Sequence, residues 1–157
     1  MSVLISRERP DSPDASALIE ELEAHLASRY PAESRHGFSV ERLIDEGVEL
    51  FVLRVDGDAT GCGGILFVDG PGDDRGYGEI KRMFVRPGHR GEGLGRRMLE
   101  HLEAQARSRG IGLLRLETGI DQVEAIALYE SMGFRRCPPF GPYREDPLSP
   151  CYERDLA

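Results

Sequence analysis

The stretch Gly78-Glu-Ile-Lys-Arg-Met-Phe-Val-Arg-Pro-Gly-His-Arg-Gly-Glu-Gly-Leu-Gly-Arg-Arg97 commits the chain to a strand that breaks sharply into a helix. Ile80, Met83, Phe84 and Val85 suit a buried strand, and Pro87-Gly88 ends it by removing a donor and breaking the extended run. The segment from Arg90 to Gly95 then opens a helix with Leu94, Met98, Leu99, Leu102 and Ala106 on one face. Glycines at such a helix start leave backbone N–H groups bare, and the helix dipole adds positive potential there. The combination is an anion cradle suited above all to phosphate.

The identity of that phosphate narrows by elimination. Gly88 and Gly93 have the spacing of a nucleotide-triphosphate loop, but Leu94-Gly95 stand where Lys and Ser/Thr are required. A dinucleotide fingerprint would need glycine or alanine at Arg96. What remains is Arg-x-x-Gly-x-Gly, filled by Arg90, Gly93 and Gly95 after a Val-x-Pro strand end. This resembles the acyl-CoA pyrophosphate loop of the GNAT superfamily of N-acetyltransferases; an ordinary glycine-rich strand-to-helix turn is the plainer reading of the same six residues.

At 157 residues the chain is expected to form one domain, 1–157, with a core of its own. Its 39% hydrophobic and 31% charged residues fit a globular enzyme rather than a disordered segment. No apolar run approaches the ~20 residues of a membrane span. The start, Met1 to Arg7, lacks the basic and long apolar regions of a signal peptide, so a cytoplasmic protein is expected, with no membrane partner. A net charge of −8 argues against nucleic acid as a partner. Among the 20 basic residues only Lys81 is lysine, which a GC-rich coding bias explains. Cys62, Cys137 and Cys151 have no metal spacing and read as reduced buried thiols; the four histidines do not cluster. No metal is predicted.

Taken in order, Val3–Ile5 is a short strand. Ser12 caps a helix with Pro13 at its first position, and Leu18, Leu22 and Leu26 form its stripe to about Arg29. Residues 31–37 read as a polar loop, and Ser39 caps a short helix carrying Val40, Leu43 and Ile44. Val48 to Val55 is a strand, Asp56-Gly57 a hairpin turn, and Ala59 to Val68 the return strand. Gly61, Gly63 and Gly64 within it signal a bulge or a close backbone approach. Asp69 to Gly76 reads as a tip loop. After the glycine-loop helix, Leu113 to Thr118 is a strand that a right-handed crossover makes parallel to the one starting at Glu79. A helix from Gln122 to Met132, a strand at Phe134–Cys137, a proline-stiffened tail and a closing strand at Cys151–Leu156 complete the chain.

Ala125-Ile-Ala-Leu-Tyr-Glu-Ser-Met-Gly-Phe134 resembles the second GNAT signature, Ala-Ile-x-Leu-Tyr-x-x-x-Gly-Phe. With two motifs on the right elements in the right order, the chain is identified as resembling this superfamily from about Val48 to its end. The resemblance implies an α/β fold of the α+β kind: a central mixed, mostly antiparallel sheet of about six to seven strands flanked by about four helices. It implies an acetyltransferase with acetyl-CoA as co-substrate and an amine acceptor as partner, and leaves a homodimer open. Gln122 departs from the family pattern, which often has Asn there.

The chemistry can be built from the residues. A free alkyl amine has a pKa of ~10.4 and must lose a proton before it attacks a thioester. The resemblance gives that base role to Glu79, for which a solvated strand-end carboxylate is the alternative. It implies Tyr129 as donor to the departing thiolate, for which a core aromatic is the alternative. The resemblance further implies that a backbone N–H at a bulge near Met83 or Phe84 would receive the oxyanion. The backbone of Met83, Phe84 and Val85 would pair with pantetheine. The backbone of Arg90, Gly91, Glu92, Gly93, Leu94, Gly95 and Arg96 would hold the pyrophosphate, with Arg90, Arg96 and last Arg97 supplying charge. Gln122 and Ala125 complete the expected CoA site. The resemblance implies an acceptor pocket between Tyr30–Phe38 and Phe140–Tyr143. A CoA-binding regulatory module without turnover is the other function class.

Overall fold

A computed structural model describes residues 1–70 and 76–156. Its centre is a seven-stranded sheet in the order β1-β2-β3-β4-β5-β7-β6. The strands are β1 (Val3–Arg7), β2 (Glu49–Val55), β3 (Asp58–Val68), β4 (Tyr77–Val85), β5 (Leu113–Glu117), β6 (Arg135–Cys137) and β7 (Cys151–Asp155). The helices are α1 (Pro13–Ala27), α2 (Val40–Asp45), α3 (Leu94–Ser108) and α4 (Val123–Ser131). β4 and β5 are parallel, as the α3 crossover requires, and the other described pairings are antiparallel. The mixed sheet and four helices match the expected fold; the expected tip loop lies partly outside the described residues, at 71–75.

Local chemistry sets the helix starts. Ser12 Oγ accepts the Ala15 N–H at 3.1 Å with Pro13 at the first position, and Ser39 Oγ accepts the Arg42 N–H at 3.2 Å. The segment 31–37, expected as loop, contains one 3-10 turn at Ala32–Ser34. The sheet has a core on each face, which explains the near-continuous apolar run of β2. Leu50 and Val52 face Leu18, Leu22 and Leu43 of α1 and α2. Phe51, Leu53 and Val55 face Met98, Leu99 and Leu102 of α3. Those three α3 side chains are no more than 1% exposed. At ~2 kcal/mol each they contribute on the order of 6 kcal/mol of burial, enough to hold α3 in place.

The last strand does not close an edge. β7 inserts between β5 and β6, so the C-terminal segment puts Tyr152 and Leu156 into the α3-side core. The short β6 is the edge, carrying exposed Arg135 and Arg136, which discourage pairing with another chain.

Two irregularities shape the centre. The β3–β4 register shifts between Cys62 and Gly64, where Arg82 adopts φ 56. The shift sets Arg82 and Met83 against Gly63 alone, a β-bulge. A Cβ at Gly63 would meet Met98 Cγ at 2.8 Å and Met83 Sδ at 2.9 Å, so the glycine is needed for close approach. On its other side β4 pairs with β5 only through Gly78–Leu114, Glu79–Arg115 and Ile80–Leu116. From Lys81 onward the two parallel strands splay, opening a cleft at their carboxyl ends.

Candidate active site

The glycine loop frames one end of that cleft. A 3-10 turn at Pro87–His89 follows β4, and Gly91 and Gly93 take φ of 84° and 77°. A Cβ at either would meet nothing within 4 Å, so both present bare backbone to open space at the start of α3. Gly95 has a different duty: its Cβ would meet Leu128 Cδ2 at 2.9 Å, so it seats α3 against α4. Leu94 turns its side chain into the core at 1% exposure and leaves only its backbone to the loop. Glu92 is exposed, 3.4 Å from the His89 ring. Arg90 donates to the Val85 carbonyl at 3.1 Å, and Arg96 to Ser131 Oγ at 2.9 Å. Both guanidinium groups are surface-exposed beside the loop, as is Arg97.

The cleft deepens into a cavity of about 120 Å³. Met83, Gln122, Ala125 and Tyr129 line it, together with Tyr30, Arg35, His36 and Tyr143. Glu79, Lys81 and Glu117 line it as well. Phe84, by contrast, packs its side chain into the α1-side core, so any ligand contact there is through its backbone. The segments Tyr30–Phe38 and Phe140–Tyr143 meet where the His36 and Tyr143 ring centroids lie 5.4 Å apart; further along, Ser34 Oγ donates to Asp146 at 2.6 Å, and Ser149 Oγ donates to the Ser34 carbonyl at 3.0 Å. Tyr30 Oη accepts the Asp121 N–H at 2.9 Å and lies 3.4 Å from Gln122 Nε2. A Cβ at Gly119 would collide with that hydroxyl, which gives Gly119 its reason.

Glu79 is not a solvated strand end. It is 4% exposed, accepts from Lys81 Nζ at 3.0 Å, and also accepts a hydrogen bond from the Tyr143 phenol. Lys81 Nζ lies 3.1 Å from the Tyr143 oxygen and 3.9 Å above the centre of the Phe38 ring. Burial, followed by the Glu79 charge, holds the Tyr143 phenol far above the ordinary tyrosine range.

Glu117, at the end of β5, was not singled out from the sequence. Burial pushes its carboxyl up to about 7, opposed by the Lys81 ammonium. A signal was present: it is a polar residue at the carboxyl end of a strand parallel to β4, where such sheets open their sites. Tyr129 is 6% exposed, packed 5.8 Å from the Phe134 ring, and no residue among those described hydrogen-bonds its hydroxyl. Burial first, then the Glu117 charge, raises its phenol well above the usual value, so it holds its proton at neutral pH.

Lys81 and Arg82 were legible only as strand residues. Arg82 donates Nε to the Phe38 carbonyl at 2.9 Å and a terminal nitrogen to Glu23 at 2.8 Å, while Arg35 reaches the other Glu23 oxygen at 3.1 Å. The arrangement joins an anion-facing backbone loop, a phenol that keeps its proton, and a carboxylate able to take one near neutrality. Among the described residues no cluster of His, Cys, Asp or Glu could hold a metal ion, and no helix is long and apolar enough to cross a membrane.

Comparison with known proteins identifies the family and the fold. The acetyltransferase (GNAT) family model matches residues 15–134. An IAA acetyltransferase of Azospirillum brasilense is 46% identical over 155 residues, covering 99% of both chains. A solved Klebsiella pneumoniae structure named as an acyl-CoA N-acyltransferase superposes with a TM-score of 0.78 at 36% identity, covering 99% of this chain and 98% of that one. The PaiA N-acetyltransferase of Thermoplasma acidophilum, solved in complex with coenzyme A, shares the fold with a TM-score of 0.74 at 19% identity over 99% of each chain. The chain belongs to the GNAT family of acetyltransferases.

Proposed function

We propose that the protein transfers an acetyl group from acetyl-CoA to a primary amine by direct attack within a ternary complex. The observation that carries this reading is the convergence of Tyr129, Glu117 and Glu79 on one cavity, at the point where β4 and β5 part beside the glycine loop. Acetyl-CoA would set its pyrophosphate on the N–H groups from Arg90 to Arg96. Its pantetheine would run along the unpaired β4 edge at Met83 to Val85, past Gln122 and Ala125.

The amine reaches the site as ammonium and gives its proton to a carboxylate. Glu117 suits this task because a group titrating near 7 both exists as the base and binds the proton usefully. Glu79 is the second proton-accepting group; held by Lys81 and Tyr143, it fixes the wall against which the acceptor lies. The amine nitrogen then attacks the thioester carbonyl carbon, and a backbone N–H at the Arg82–Met83 bulge receives the oxyanion, a contribution of ~3 kcal/mol. As the C–S bond breaks, Tyr129 protonates the sulfur, the second proton on the attacking nitrogen passes through water to the Tyr129 phenolate, and Glu117 releases the first to solvent, so the products are the amide, free CoA thiol and one proton.

Incubation with acetyl-CoA and an amine panel, read by thiol release and by the mass of the acetylated product, tests this. Thiol release at the rate of the enzyme-free control, with CoA bound tightly by calorimetry, would make the chain a CoA-binding module instead.

A further inference from the structure

The cavity lining carries two groups of charge. In one, Glu79 and Glu117 accompany Lys81. In the other, a single carboxylate behind the lining serves two guanidinium groups: Glu23 Oε1 takes Arg35 at 3.1 Å and Glu23 Oε2 takes Arg82 at 2.8 Å. Within that bridge two positive charges meet one negative charge. Arg35 is only partly satisfied, since its Nε is buried with no hydrogen-bond partner. The second guanidinium is held in place at some cost. Arg82 accepts φ 56, a conformation that side-chain-bearing residues rarely adopt, and its guanidinium lies so close to Gly37 that a Cβ there would collide with it. The His36 ring stands beside it, edge-on to Tyr143 with centroids 5.4 Å apart.

The charged side chains that line the cavity are Arg35, Lys81 and Arg82 against Glu79 and Glu117, with Glu23 behind the two guanidinium groups and Asp146 behind Ser34, and Glu117 carries a proton about half the time near pH 7. The lining is neutral to cationic although the chain carries −8. A polyamine would find its far ammonium groups facing guanidinium charge. We propose that the acceptor is a small amino acid-like compound carrying a carboxylate as well as the reacting amine, with Arg35, backed by Arg82, binding the carboxylate while the amine points to Glu117. Arginine suits this role because its planar fork meets both carboxylate oxygens. The proposal rests on the acetyl-transfer reading above and adds the substrate class to it.

The test uses matched trios: tyrosine, tyrosinamide and tyramine, and leucine, leucinamide and 3-methylbutylamine, with spermidine as a separate arm. In at least one trio the free acid should exceed its amide and its decarboxylated amine in kcat/KM by about tenfold or more, the loss expected for an unpaired charged hydrogen bond. Arg35→Met, at a side chain still a quarter exposed, should raise KM for the acid by about tenfold. It should leave kcat, and KM for the amide, within about twofold. Decarboxylated amines turning over as well as their acids, spermidine alone turning over, or Arg35→Met affecting acid and amide equally would each overturn the proposal while leaving acetyl transfer standing. Thiol release with none of these amines overturns both.

Discussion

Lys81 Nζ lies 3.0 Å from Glu79 Oε2, with both side chains no more than 5% exposed. The one lysine among 20 basic residues therefore sits at the centre of the cavity, paired on one side and facing Glu117 on the other. A buried pair of this kind adds little net stability, but removing one partner strands the other charge.

Lys81→Met should therefore lower stability by ~3 kcal/mol, read by urea denaturation at pH 7. Adding Glu79→Gln to that variant should recover most of the loss. The ammonium also lowers the Glu117 pKa, so Lys81→Met should move the acidic limb of the pH–rate profile upward. A limb that stays put would separate Lys81 from Glu117.

Glu117 and Glu79 are distinguished by pH. The wild-type enzyme should lose kcat/KM as pH falls through about 7. Glu117→Gln should remove that limb and reduce kcat by ~10²-fold or more at pH 7, with partial recovery at high pH as the amine deprotonates unaided. Glu79→Gln should retain the limb. The opposite pattern would give the base role to Glu79.

The same carboxylate sets a stability trend of the reverse sign. Its folded pKa, raised from 4.5 to about 7, means that its contribution is fully present below pH 4.5 and is lost as pH rises through about 7. Above that, burying the charge costs on the order of 3 kcal/mol. Glu117→Gln should thus be more stable than wild type at pH 8 and equal to it at pH 4.5, which thermal melts at the two pH values will show.

Tyr129→Phe keeps the ring against Phe134 and deletes a hydroxyl with no side-chain partner among the described residues, so stability should change by ~1 kcal/mol or less. If the phenol protonates the thiolate, kcat should fall by ~10²-fold with acetyl-CoA affinity nearly unchanged. Wild-type kcat at all pH values, with chemistry limiting, would return the residue to the core.

Two glycines of one loop should fail differently. CoA should raise the melting temperature of the wild type, and Gly93→Val, which fills open space at φ 77, should abolish that rise. Gly95→Ala presses on Leu128 at 2.9 Å and should lower the melting temperature without ligand, by loosening α3 from α4. Normal CoA binding by a folded Gly93→Val protein would remove the loop as the phosphate site.

The fold was largely legible because its signals are local. Caps at Ser12 and Ser39, the double-sided apolar run of β2, the glycines of β3 and the break at Pro87-Gly88 each act within a few residues. The family resemblance was legible for the same reason, since the glycine loop and the segment around Tyr129 are contiguous. Tertiary structure decided the rest. The insertion of β7 between β5 and β6 depends on pairing across the sheet, which no single strand's pattern encodes. One side of the cavity joins Ser34 to Asp146, 112 residues apart, and the Arg35–Glu23–Arg82 bridge joins a loop, a helix and a strand bulge. Glu117 reads from sequence as one more polar strand residue. Only burial in the cleft, with Lys81 opposing it, moves its proton affinity to neutrality, because desolvation belongs to the folded surroundings and not to the residue.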